Sequence, residues 1–395
     1  MTGQANAVRA WLADHREEMV GDLADYVGHE SPSDDPAALS KCLEWLRDWL
    51  DRRLGAPTAE ERLSREDAGD VLIRRYPGEG ETPVLLLAHY DTVWPTGTLA
   101  GWPFRVEGDR MSGPGVFDMK AGLVQAVWAL RAIDALGMPG PACTLLLNGD
   151  EETGSHASSD VIVAEAGRSS PALVFEASAD GAMKTARKGV GLFTLSVTGE
   201  EAHAGLDPTA GASAVTELAH QVLRCHALGD LEAGTSVNVG VVHGGTRANV
   251  TAGSAVARLD VRVAGEAERK RIDAALAAPE PVDPRTNVVV TGEWNRPVFE
   301  RTPAVARLFE LARECARPLG VDLRETSVGG ASDGNFVVAA GVPVLDGLGA
   351  VGGGAHARTE HATVGGMLER AALTANILVA LAGDRSAERY RDRPQ

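Results

Sequence analysis

Apolar residues recur at helical spacing from Asn6 to about Val27 (Val8, Trp11, Leu12, Met19, Leu23, Tyr26) until SPSDDP interrupts them. A second amphipathic stretch runs from about Ala37 to Leu54. The pattern then changes to short apolar runs, VLIRRY (Val71–Tyr76) and PVLLLAHYD (Pro83–Asp91). The latter is apolar without alternation, as a strand buried on both faces must be. AGLVQAVWALRAIDALG predicts a helix from Ala121, while CTLLLNGDEE from Cys143 and ALVFEA (Ala172–Ala177) repeat the buried-strand form. Three apolar strands, each ending in acid or histidine, predict an α/β sheet whose carboxyl edge gathers ligands.

Near Gly189 the texture shifts. GLFTLSVTG reads as a strand, Ala212 to Leu228 as a helix, TSVNVGVVHGG and SAVARLDVRV as a strand pair, Ala267 to Ala278 as a helix and TNVVVTG as a last strand. That β-α-β-β-α-β order is ferredoxin-like. After Arg296 the chain returns to helix and buried strand (VPVLDGL). The module is therefore read as an insertion, 187–296, within a larger domain made of 1–186 and 297–395. The charged tail after Ala382 is expected to fray.

Composition narrows the functions open to such a chain. With 395 residues there is room for two cores, and 44% hydrophobic against 24% charged residues is the balance of a soluble globular protein. A formal charge of −17, from 55 acidic and 38 basic residues, argues against nucleic acid, which needs a basic face. Cys42, Cys143, Cys225 and Cys315 form no CxxC pair, so neither a thiolate zinc site nor a disulfide framework is indicated. The charged N-terminal stretch and the lack of about 18 uninterrupted apolar residues predict no membrane partner and a cytoplasmic protein.

Candidate chemistry collects at the strand ends. In AHYDTVWP, His89 and Asp91 are two apart and share a face, which suits chelation of one cation, although the pair taken alone reads more readily as a solvated turn. GPGVFDMKAG sets Asp118 just before a helix, as an N-cap or as a carboxylate bridging two metals. NGDEETGS crowds Asp150, Glu151 and Glu152 at a buried strand end, where like charges call for a cation. Alternation there directs Glu151 and Glu152 differently, so one can ligate while the other takes a proton from water. VFEAS adds Glu176 and GAHARTEH adds His356. Imidazole and carboxylate donors without cysteine are what a hydrolytic zinc pair uses.

These five motifs, in this order and spacing, resemble the carboxypeptidase G (glutamate carboxypeptidase) branch of the di-zinc peptidases. That superfamily also holds aminoacylase, acetylornithine deacetylase and succinyl-diaminopimelate desuccinylase. The resemblance spans nearly the whole chain. It implies a zinc-binding catalytic domain, a mixed sheet flanked by helices, carrying an inserted α+β lid and dimerisation domain. It implies two Zn²⁺ per chain, with Co²⁺ or Mn²⁺ as substitutes. Asp118 would bridge them, His89 and Glu176 would complete one site, and Glu152 and His356 the other. Glu151 would be the general base and Asp91 the carboxylate that orients His89. His203, in EEAHAGLDP, matches the histidine that steadies the oxyanion, often across a homodimer.

The resemblance also matches Asn249 and Arg262 to a pair that binds the substrate carboxylate. Lys184 and Arg296 stand where the glutamate carboxypeptidases carry further basic residues. GGASDGNF, with Gly330, Asp333 and Asn335, matches a pocket-lining segment. Val250 and Thr251 follow Asn249 where the family has Ile-Pro or Val-Pro, which leaves that loop's geometry open. The expected activity is release of a C-terminal, acidic residue from a small peptide or N-acyl amino acid. An N-acyl-amino-acid deacylase and a catalytically inactive binding protein are the competing readings. A serine hydrolase is disfavoured because no GxSxG elbow occurs.

Overall fold

The computed structural model describes residues 2–383, and the charged tail lies outside the described residues. The first apolar stretch forms two helices, Thr2–Asp14 and Arg16–Val27, where its spacing predicts one. The break falls at His15, whose Nδ1 lies 2.8 Å from the Trp11 carbonyl and whose ring stacks on Trp11 at 3.9 Å. Leu12 and Met19 are two turns apart, so the apolar phase runs through the break and conceals it. Asp35 caps the next helix, Pro36–Leu54, by accepting from the amides of Ala37 and Ala38, and Pro36 at the first turn needs no amide partner.

Two compact units share the chain. The first comprises the described residues up to Ala186, Arg301–Val328 and those from Ser332 onward; the second is Arg187–Glu300 with Gly329–Ala331. In the first, a six-stranded mixed sheet runs in the order Ala59–Leu63, Gly69–Tyr76, Pro141–Gly149, Glu79–His89, Ala172–Val174, Val344–Leu345. Glu79–His89 is parallel to both its neighbours, with His89 opposite Asn148 and Leu87 opposite Val174. The chain therefore leaves these three strands at one edge, and His89, Glu151 and Glu176 emerge together there.

Helices Ala121–Ala135 and Val364–Gly383 pack within the core of this unit, where Trp128, Leu373, Ile377 and Leu378 are wholly buried. Val364–Gly383 has the length and apolarity of a membrane span, but most of it is covered by the protein's own core. Gly122 lets the helix Ala121–Ala135 come close to the sheet edge: a Cβ there would lie 2.0 Å from the Phe175 carbonyl, next to Glu176.

A small antiparallel sheet completes the first unit. His361–Thr363 pairs with both Gly352–Gly353 and Arg110–Ser112, which folds the intervening loop with His356 back beside the segment leading to Asp118.

The second unit has the β-α-β-β-α-β order in its elements Gly189–Thr198, Ala214–Ala227, Ser236–Gly244, Ser254–Val263, Glu266–Ala277 and Asn287–Arg296. Its strands form one antiparallel sheet in which Gly189–Thr198 and Ser254–Val263 are central. Leu195, Leu218, Leu259, Val261 and Ile272 give it a core of its own.

Candidate metal centre

His89 ends its strand almost fully buried, and its two ring nitrogens have different surroundings. Nδ1 lies 3.0 Å from the Asp91 carbonyl and 3.4 Å from the Asp91 carboxylate. A donor at Nδ1 leaves Nε2 as a lone pair, and this atom has no hydrogen-bond partner among the described residues. Nε2 nevertheless faces Asp118 Oδ1 at 3.4 Å and Glu176 Oε1 at 3.5 Å. Three electron-rich atoms turned on one point repel unless something positive lies between them.

A second cradle adjoins the first through the other oxygen of the same carboxylate. His356 Nε2 stands 3.5 Å from Asp118 Oδ2 and 3.1 Å from Glu152 Oε2. Glu152 Oε1 is buried and has no hydrogen-bond partner among the described residues. Tetrahedral zinc ligands, at about 2.0–2.2 Å from the ion, stand roughly 3.3–3.6 Å from one another. Three of the four separations between imidazole and carboxylate, 3.4, 3.5 and 3.5 Å, match that spacing. Three protein donors per cradle, with Asp118 shared, also leave each ion an open coordination position. The donor set therefore fits a pair of cations.

The electrostatics agree with a site built for positive charge. Burial opposes ionisation of Asp118, yet the adjacent imidazoles of His356 and His89, with the charge of Lys184, hold its carboxyl far below the usual range. Burial pushes Glu152 up to about 7, against the lowering effect of His356. Asp118 and Glu152 raise His356 to about 10. Burial disfavours charge on His89, but Asp118, Asp91 and Glu176 outweigh it and raise this imidazole too. His356 also holds a left-handed φ of +59°, which costs a non-glycine residue about 1–2 kcal/mol. Such a conformation is kept where a site requires it.

Asp91 does more than face His89. Its carboxylate accepts from the Glu151 and Glu152 amides at 3.2 and 3.1 Å and from the Ser33 hydroxyl at 2.8 Å, so it sets the turn that carries both glutamates. The Glu151 carboxylate comes within 4.8 Å of the donor atoms of His89 and Glu176. Asp150, read from the sequence as part of the acidic cluster, turns inward instead. It accepts from the Ala157 amide and the Ser158 hydroxyl and closes the turn.

Lys184 belongs to the same unit, on strand Met183–Arg187, with its amide donating to the Asp346 carbonyl at 2.9 Å. Asp333 and Asn335 are buried braces: Asp333 accepts from Asn148 and from Ser155, and Asn335 accepts from the Ser332 amide. The remaining candidates, His203, Asn249, Arg262, Arg296 and Gly330, lie in the second unit.

There His203 is exposed, and its Nδ1 accepts from the Gly205 and Leu206 amides at 3.2 and 3.1 Å. His203 bridges Val250, and the Asn249 carbonyl accepts from the Ala204 amide, so these two candidates are neighbours. The Arg262 guanidinium is held by both carboxylate oxygens of Asp260, at 2.8 and 2.9 Å. Arg296 is buried and reaches Asn295 Oδ1 at 3.3 Å. The Gly330 carbonyl accepts from Arg187.

Sequence reasoning passed over three residues that support Asp91 and the Asp118 segment. Ser33 supports Asp91, as above. Lys120 is buried and donates to the carbonyls of Tyr26 and His29, at 3.2 and 2.7 Å, which ties the Asp118 segment to the end of helix Arg16–Val27. Glu360 is 1% exposed and accepts from the amides of Phe117 and Asp118. The only signal for the last was an acid four places after His356.

Comparison with known proteins gives concordant results. The profile of Peptidase family M20/M25/M40 matches residues 85–380. Carboxypeptidase G2 of Pseudomonas sp. (strain RS-16) is 29% identical over 381 residues, 93% of this chain and 90% of that protein. Among solved structures, a tripeptidase from Staphylococcus aureus superposes with a TM-score of 0.75 at 21% identity, covering 93% of this chain and 99% of that one. The YXEP protein of Bacillus subtilis, a dinuclear metal binding peptidase, gives 0.68 at 13% identity over 94% and 99%. At these identities the structural likenesses speak to the fold.

Proposed function

Since the chain belongs to peptidase family M20/M25/M40, we propose that it is a di-zinc carboxypeptidase-like hydrolase. Its substrate in this reading is a small peptide or N-acyl amino acid that ends in an acidic residue. The carrying observation is the pair of three-donor cradles that share Asp118, with the lone pair of His89 turned into one of them. The whole-length similarity to carboxypeptidase G2 supports the choice of bond.

His89, Asp118 and Glu176 would hold one Zn²⁺, and Asp118, Glu152 and His356 the other; Co²⁺ or Mn²⁺ would serve as substitutes. Cations held there supply Lewis-acid polarisation of the scissile carbonyl and acidify a water. Glu151 takes the proton from the attacking water and returns it to the leaving amine. Two backbone N–H groups on Nδ1 of His203 place its proton on Nε2, which makes that atom a donor for a developing oxyanion. Lys184 supplies positive charge beside Asp118, and Asn249, Arg262, Arg296 and Gly330 would complete the recognition of substrate carboxylates. For Arg262 that role requires Asp260 to give up part of its hold.

A substrate panel on zinc-loaded enzyme, with a chelator control, tests the reading. Acyl-glutamates and acyl-aspartates should be cleaved faster than N-acyl amino acids with apolar side chains, and chelation should abolish both rates. Preferential deacetylation without regard to an acidic side chain would replace the carboxypeptidase reading with a deacylase. No turnover on any of them would point to a binding protein.

The second unit is proposed as a lid through which two chains pair. Strand Ser236–Gly244 is an edge with Val241 and Val242 exposed, and helix Ala214–Ala227 exposes Val215 and Leu223. In such a homodimer His203 serves the partner's centre. Mixing Glu151→Gln chains with His203→Ala chains should then restore turnover that neither shows alone, through composite sites with one intact set of groups. Absence of any gain, with mixed dimers confirmed by mass, would rule out service across the dimer.

A further inference from the structure

We propose that Glu360 positions the bridging Asp118, so that both cation cradles depend on a carboxylate that faces neither of them; the proposal rests on the metal-centre reading above. Oε1 of Glu360 accepts from the amides of Phe117 and Asp118 at 2.9 and 3.1 Å. Oε2 accepts from the Gly115 amide at 3.1 Å and from Trp94 Nε1 at 2.7 Å. All four partners are donors.

An ionised carboxylate is acceptor-only on both oxygens, whereas a protonated one would turn an O–H toward one of these donors. A glutamine would keep one oxygen and turn an NH₂ group toward two N–H groups, and leaving buried donors unmatched is costly. The site is also closed to rescue by water. Glu360 is 1% exposed, and a Cβ at Gly115, where φ is +72°, would lie 2.6 Å from a Thr92 methyl.

The connectivity gives the contact its consequence. Glu360 sits four residues after His356, Trp94 five after His89, and Phe117 and Asp118 belong to the bridge itself. One side chain thus joins the three segments that carry His89, Asp118 and His356. Asp118 lies in neither a regular helix nor a strand, with φ −119° and ψ 98°. Its orientation depends on such side-chain support. Because Asp118 gives one oxygen to each cradle, a small rotation there misplaces a ligand in both at once.

The test compares wild type with Glu360→Gln, Glu360→Asp and Trp94→Phe. Chelator-stripped protein is titrated with Zn²⁺ in competition with a chromophoric chelator, below the melting temperature of each apo form. Wild type should bind two ions. Glu360→Gln should bind both about 10–100-fold more weakly, the range typical of losing a partner that orients a ligand. Excess zinc should then restore kcat with KM little changed, at a temperature where circular dichroism shows the apo variant already folded. Trp94→Phe removes one donor of four and should weaken zinc less than Glu360→Gln.

A folded Glu360→Gln protein with wild-type zinc affinity at both sites would overturn the proposal while leaving the metal centre intact. If the glutamine variant does not fold, Glu360→Asp carries the test. It keeps the charge but is too short to reach all four donors, and wild-type affinity in that variant overturns the proposal equally. Wild type that binds no zinc at all would overturn the metal-centre reading, and this one with it.

Discussion

Glu151→Gln is expected to lower kcat by about 10²–10⁴-fold, the usual share of a general base, while both cations stay bound. The turn Glu151–Thr153 follows the strand Pro141–Gly149, and Asp91 holds the Glu151 amide in place. Glutamine has the same shape but cannot accept a proton, so the substitution isolates that capacity. One feature of the geometry makes the metal measurement decisive. The Glu151 carboxylate falls within 4.8 Å of the His89 and Glu176 donors, close enough to serve as a further ligand of the first cradle. A ligand would show itself as weaker zinc binding in the variant, and a base as full metal content without turnover. Zinc stoichiometry by elemental analysis, beside kcat on an acyl-glutamate, separates the two. Retained turnover in metal-loaded variant would reject the base assignment.

Asp118→Asn is expected to empty both cradles and abolish turnover together. The native carboxylate offers Oδ1 toward His89 and Oδ2 toward His356, whereas the amide keeps one oxygen and replaces the other with a nitrogen that has no lone pair for a cation. Its effect on zinc affinity should exceed the roughly 10–100-fold loss caused by removing a partner that merely orients a ligand. Stability supplies a readout independent of activity. A ligand present at 1,000 times its dissociation constant stabilises the fold by about 4 kcal/mol. Saturating zinc should therefore raise the Tm of wild type and leave Asp118→Asn nearly unmoved. An equal rise in both proteins would show that the ions bind elsewhere.

Much of this candidate site was legible in one dimension because its candidate donors stand where regular structure stops. A strand that is apolar on both faces and ends in histidine, or in a run of acids, announces both its burial and its edge. His89, Glu151 and Glu176 were found in that way. The motifs added Asp118 and His356, which no periodicity marks. Three kinds of fact were out of reach. The turn after Gly149 sends Asp150 inward to cap Ala157 and Ser158, and no spacing distinguishes it from its two acidic neighbours. The two N-terminal helices share one apolar phase, so their break at His15 is silent. Arg262 meets Asp260 because residues two apart on a strand share a face, a pairing the spacing allows without requiring.

The sequence by itself determined which residues can ligate, which runs become strand or helix, and that an α+β module interrupts a larger α/β domain. Those are local properties, settled by side-chain chemistry and by the period of apolar positions. Tertiary structure alone decided the partners: that Glu79–His89 lies between Pro141–Gly149 and Ala172–Val174, that the loop of His356 folds back beside the segment of Asp118, and that Glu360 reaches four donors drawn from two segments. The reason is physical. A strand's pattern tells which face it buries but not which neighbour it pairs with, and that choice is made only when the whole core closes and every buried donor must find its acceptor.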